Sequence, residues 1–111
     1  MSHLTQLYDE AIELQQAGRL DEAIAKLEDL IVGHPEYALA HAALSVFYGK
    51  QDRHDKAVEH AQTVCRLEPE DPFSYMALSL ICQRAGRLAE AEEALALAME
   101  KQWEAFRRSE Q

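Results

Sequence analysis

Apolar residues recur three and four positions apart along almost the whole chain. Leu4, Leu7, Ala11 and Leu14 make one such run, and Leu20, Ala23, Ile24, Leu27, Leu30 and Ile31 make the next. That spacing lines one face of an α-helix and does not suit a strand. Polar phrases separate the runs, and one of them repeats: Ala17-Gly18-Arg19-Leu20 returns as Ala85-Gly86-Arg87-Leu88, 68 residues on, which is twice 34. Pro35-Glu36 and Pro69-Glu70 stand 34 apart, and Gln51-Asp52-Arg53-His54 occupies the place midway between the doubled phrases. A fixed period of this length is the mark of stacked helical repeats. The chain divides accordingly into repeats at about 4–37, 38–71 and 72–105, each a pair of helices, within one domain spanning 1–111.

The turns are predicted from the same pattern. Gly18 and Gly86 fall where paired helices must reverse through a residue that tolerates positive φ, and Asp52 takes that place in repeat 2. Asp21 and Asp55 sit where they cap a second helix or favour its start. Asp71-Pro72 reads as an N-cap followed by proline at the first helical position. Ala23, Ala57 and Ala91, each 34 apart, keep the paired helices close. A lone helix pair cannot bury its apolar faces; stacking neighbours does so.

These features resemble the tetratricopeptide repeat family, whose pattern is W-x2-L-G-x2-Y, then A-x3-F and a later proline. Repeat 1 answers with Leu7, Glu10, Ala11, Leu14, Ala23, Leu27, Leu30 and Pro35. Repeat 2 answers with His41, Leu44, Ser45, Tyr48, Ala57, Ala61, Val64 and Pro69. Repeat 3 answers with Tyr75, Leu78, Ser79, Cys82, Ala91, Leu95 and Ala98, with Trp103 in the proline's place. Glu10 departs from a core leucine, His41 from an aromatic slot, and the last proline is missing.

The resemblance implies an all-α, right-handed solenoid of three helix-turn-helix repeats whose first helices line a concave groove for peptide ligands. The lining positions it assigns here are Tyr8, Ile12, Leu39, Ala42, Val46, Lys50, Phe73, Met76, Leu80 and Arg84. One subset of the family grips a chaperone's C-terminal carboxylate with Lys, Asn and Arg. The matching places hold Tyr8, Ile12, Ala43, Phe73 and Ala77, so that ligand class is not expected. A helix or extended segment with apolar anchors is the expected guest, oriented by Lys50 and Arg84.

Composition narrows the classes. A net charge of −9 opposes binding to nucleic acid or to an anionic membrane. No stretch is long and apolar enough to span a bilayer, and the opening MSHLTQLYDEAIEL carries acids where a secretory signal carries Lys or Arg, so a cytoplasmic protein is expected. Cys65 and Cys82 read as buried thiols. His54 and His60 are six apart, off a common helical face, and His3, His34 and His41 form no ligand spacing, so no metal site is expected. Glu90, Glu92 and Glu93 read as a solvated face. With no phosphate loop and no nucleophile beside a base, neither an enzyme nor a cofactor is expected.

The last helix has no breaker from Ala89 to about Arg108 and is predicted to extend beyond its repeat. Ala91, Leu95, Ala98, Met99, Gln102, Trp103 and Phe106 are spaced as one stripe. That stripe either packs on the preceding helix or forms an interface, with Met99, Trp103 and Phe106 as candidate self-association residues. The functional expectation is a non-catalytic adaptor binding an apolar peptide or helix. The alternatives are a homodimeric assembly module and a chaperone-like holder of client proteins.

Overall fold

Three copies of one turn organise the molecule. In the computed structural model, which describes residues 3–110, Arg19 N–H donates to Leu14 O at 2.9 Å and Gly18 N–H to Gln15 O at 3.0 Å. Arg53 and Asp52 repeat this pair of bonds on Tyr48 O and Gly49 O, as do Arg87 and Gly86 on Cys82 O and Gln83 O. This is the Schellman arrangement, which closes a helix through one residue in the left-handed region. Gly18 and Gly86 take φ of 81° and 77°, and Asp52 takes 58°. Each arginine carbonyl then accepts from Ala23, Ala57 or Ala91 and opens the next helix.

The helices are α1 (His3–Gln16), α2 (Leu20–Gly33), α3 (Ala38–Lys50), α4 (His54–Leu67), α5 (Pro72–Arg84) and α6 (Leu88–Ser109). They pair as predicted, and there is no strand among the described residues. Asp71 caps α5, its carboxylate accepting from Phe73 N–H at 2.9 Å, with Pro72 in the first turn. Asp21 and Asp55 do not cap: the N-cap residues are Arg19 and Arg53, without side-chain cap bonds. The two acids lie in first turns and reach across to the following repeat. Asp21 accepts from Gln51 Nε2 and Asp55 from Arg87, each at 2.6 Å.

Consecutive helices stack in order, α2 on α3 and α4 on α5, and the extents of 42 × 36 × 22 Å are those of a short slab. The radius of gyration is 14.9 Å, above the roughly 13 Å of a globular domain of this length. Leu27, Leu44, Val58 and Cys82 are the largest fully buried side chains, so the core is centred on the middle of the stack. Ala23, Ala57 and Ala91 are buried where paired helices meet. Glu10, in a slot usually apolar, is answered by Lys26 of α2 at 3.3 Å.

Candidate functional site

The residues expected to line the groove share one face because α3 and α5 carry the same register. Leu39, Ala42, Val46 and Lys50 match Phe73, Met76, Leu80 and Arg84, each pair 34 apart. Leu39, Val46, Phe73, Met76 and Leu80 are exposed, Phe73 at 72%. Leu39, Ala42 and Phe73 come together around a hollow of about 220 Å³ between the N-terminal parts of α3 and α5. Ala38, Val64, Glu68, Asp71, Ser74 and Ala77 complete its wall. Val46, Met76 and Leu80 do not line that hollow; they continue the apolar strip along the two helices. Lys50 and Arg84 end the strip, exposed and without an ion pair among the described residues. On α1, Tyr8 and Ile12 are half-buried and pack on the core, and Tyr8 meets Tyr37 edge to face at 6.3 Å. The strip is therefore chiefly a feature of α3 and α5. Val64 and Glu68 were not assigned from sequence because they come from α4, a second helix, and its C-cap.

A polar cluster missed by the sequence reading joins the first and middle repeats. His41 Nε2 is 2.7 Å from Pro35 O, and His41 Nδ1 is 3.0 Å from His60 Nδ1. The Pro35 carbonyl can only accept, so His41 donates from Nε2 and accepts at Nδ1 from His60. The other nitrogen of His60 lies 3.9 Å from Glu28, whose carboxylate accepts from the Tyr48 hydroxyl. Burial and that carboxylate push the Tyr48 phenol up to about 12. Desolvation lowers the pKa of His60, with Glu28 opposing. The Tyr48 ring also stacks on His60 and carries Arg53 at 4.8 Å. The signal lay in topology: positions 41 and 60 are nearly equidistant from the turn at 51–52, so antiparallel helices bring them level. The cluster ties α2, α3 and α4 together, and no buried side-chain polar atom among the described residues lacks a hydrogen-bond partner.

The remaining candidates fall into place individually. Burial pushes both thiols up, and Cys65 donates to Ser74 O at 3.4 Å across α4 and α5. A thiol held protonated in this way is a poor nucleophile. His54 sits by Asp52 at the turn, away from His60. No group of three or more metal-binding side chains converges among the described residues. No helix among them is long and apolar enough to cross a membrane.

The stripe read along the last helix is two faces. Ala91, Ala94 and Ala98 are buried against α5, whereas Leu95, Met99, Trp103 and Phe106 are exposed. Small residues take the close helix contact, which leaves the large ones beside it uncovered. Met99, Gln102, Trp103 and Phe106 form an apolar concavity of about 330 Å³, with Trp103 and Phe106 stacked at 5.6 Å.

Comparison with known proteins matches this geometry. No curated protein matches the chain. Among solved structures, MamA aligns at a TM-score of 0.84 and 23% identity, covering 94% of this chain, which spans 61% of that one. The type III secretion translocator chaperone SycD of Yersinia enterocolitica aligns at 0.78 and 24% identity, covering 88% of this chain and 73% of its own. The second repeat domain of Spaghetti (RPAP3), bound to the HSP90 peptide SRMEEVD, aligns at 0.77 and 16% identity, covering 88% of this chain and 91% of its own. These likenesses are likenesses of fold. A tetratricopeptide repeat family model matches residues 8–74 and 48–105, and with the three repeated turns and six stacked helices those matches place the chain in the tetratricopeptide repeat family.

Proposed function

We propose that this chain is a non-catalytic, cytoplasmic interaction module that seats an apolar helix or extended segment of another protein along α3 and α5. One observation carries the reading: Leu39, Val46, Phe73, Met76 and Leu80 lie exposed on equivalent positions of adjacent helices. Contiguous exposed apolar surface of this kind marks interaction sites. Covering it contributes roughly 25 cal/mol per Å² before ordering costs are met. Met76 adapts to guests of different shape, and Phe73 supplies a broad contact. Lys50 and Arg84 orient an acidic group beyond the guest's apolar anchors. Two structural neighbours support the class: SycD is a secretion chaperone, and the RPAP3 domain holds a peptide.

The test is a comparison of the native chain with Val46→Glu/Leu80→Glu as affinity baits in extract of the source cell. Both positions are exposed, so the variant is expected to keep its helical circular dichroism and melting temperature while losing its captured partners. Recovery of the same partners at the same yield by the charged variant rejects the strip as the binding site.

A further inference from the structure

The last helix carries a second apolar surface, and the repeat register shows what kind of object covers it. Leu95 of α6 is equivalent to Ala61 of α4 and Leu27 of α2, and Met99 to Cys65 and Ile31. Ala61 is 3% exposed and Leu27 fully buried, on helices that each pack against the first helix of the following repeat. Leu95 and Met99 are 47% and 64% exposed. On this face the internal repeats are covered by a helix, and α6 is bare.

The opposite end of the stack does not supply that helix. Ala40 and Phe47 of α3, like Ser74 and Ile81 of α5, are buried at positions that in α1 hold Gln6 and Glu13, both exposed. Docking α1 of a second copy onto α6 would press Gln6 and Glu13 on Leu95 and Met99, an unpaired charge against apolar surface. Head-to-tail stacking is thereby disfavoured.

We infer that α6 pairs with α6 of a second copy, antiparallel, about a twofold axis near Met99. Two features select this occupant and this direction. Glu90, Glu92 and Glu93 stand in the first part of the helix and Arg107 and Arg108 in its last turn, with Glu100 and a Lys101–Glu104 pair at 3.5 Å between them. Glu92 makes no ion pair among the described residues, and Arg107 lies over the Trp103 ring at 5.9 Å. Antiparallel pairing sets Glu92 of each copy level with Arg107 of the other, whereas parallel pairing sets like charges side by side. Size runs the same way. Glu92, Ala96, Trp103 and Arg107 share one edge of the stripe, at steps of four, seven and four residues along α6. The same axis that joins Glu92 to Arg107 places the indole of Trp103 over Ala96 of the second copy, large against small. The closed twofold contact uses each stripe once and leaves the α3–α5 strip open.

Sedimentation equilibrium of the full chain over a hundredfold concentration range tests this. The expected result is a reversible rise from 12.6 kDa to twice that mass in the micromolar range, with no larger species. Met99→Glu/Trp103→Glu, at exposed positions, is expected to remain monomeric with an unchanged helical spectrum. Glu92→Arg and Arg107→Glu are each expected to weaken association several-fold, and the two together to restore it. A monomer at every concentration overturns the proposal and leaves the stripe to a helix of another protein. A dimer untouched by Met99→Glu/Trp103→Glu, growth past the dimer, or charge reversals that fail to compensate also overturn it.

Discussion

The middle and last repeats share a spacing and differ in what it buries. In α3, seven residues are buried: Ala40, His41, Ala43, Leu44, Ser45, Phe47 and Tyr48. In α5, only Ser74, Ile81 and Cys82 are. Leu44 is fully buried and its equivalent Leu78 half-buried; Ala43 is buried and Ala77 exposed. A helix in a one-dimensional stack loses water from two sides only if a neighbour stands on each. The middle repeat holds the stack together, and the last, covered on one side, has surface to offer. Burial is thus concentrated in the middle repeat.

The widest gap between the two repeats is expected in core truncation. Leu44→Ala, which opens a cavity in a closed site, is expected to cost about 2–5 kcal/mol. Leu78→Ala, at a half-buried site, is expected to cost about 1–2 kcal/mol. Urea unfolding of both variants measures the pair, and equal losses would show that the two repeats are equally well packed. Acidification is expected to act on the middle repeat through His60. Its folded pKa lies below the ordinary histidine value, so the unfolded chain takes up the proton first. Stability is fully present above the unfolded pKa of roughly 6.5. It falls as pH drops through that value and levels off below the folded pKa. Melting temperatures between neutral and mildly acidic pH follow this, and His60→Asn is expected to flatten the profile.

The turns give the smallest effects. Gly86→Ala places a Cβ at φ 77° and is expected to cost about 1 kcal/mol. No atom stands within 4 Å of where that Cβ would go, so the loss is conformational strain alone. Asp52→Gly relieves a side chain already in that region at φ 58° and is expected to gain a few tenths of a kcal/mol, offset in part by unfolded-state entropy. Thermal melts resolve both, and a stabilising Gly86→Ala would contradict the strain argument.

How far the letters reached is clearest at particular residues. Gly18, Asp52 and Gly86 were legible as turns because each backbone reversal is closed by its own neighbours within five residues. Asp71-Pro72 was legible as a helix start for the same reason, and Ala23, Ala57 and Ala91 as close contacts because their period is the repeat's own. The strip on α3 and α5 followed from register, although Tyr8 and Ile12 proved half-buried, since Tyr37 and the core close over them. Of the two roles read for Asp21 and Asp55, the first-turn placement held and the capping did not, because their side chains bond Gln51 and Arg87 of the next repeat.

By itself, then, the sequence determined the period, the six helices and the three reversals, all products of short-range geometry and apolar spacing. Only the tertiary structure decided that His41 meets His60, that Lys26 answers Glu10, and that Ala98 is covered while Met99 one residue later is bare. Burial and pairing at those places depend on what stands on the next helix, and a period of 34 says where that helix comes without saying whether one is there.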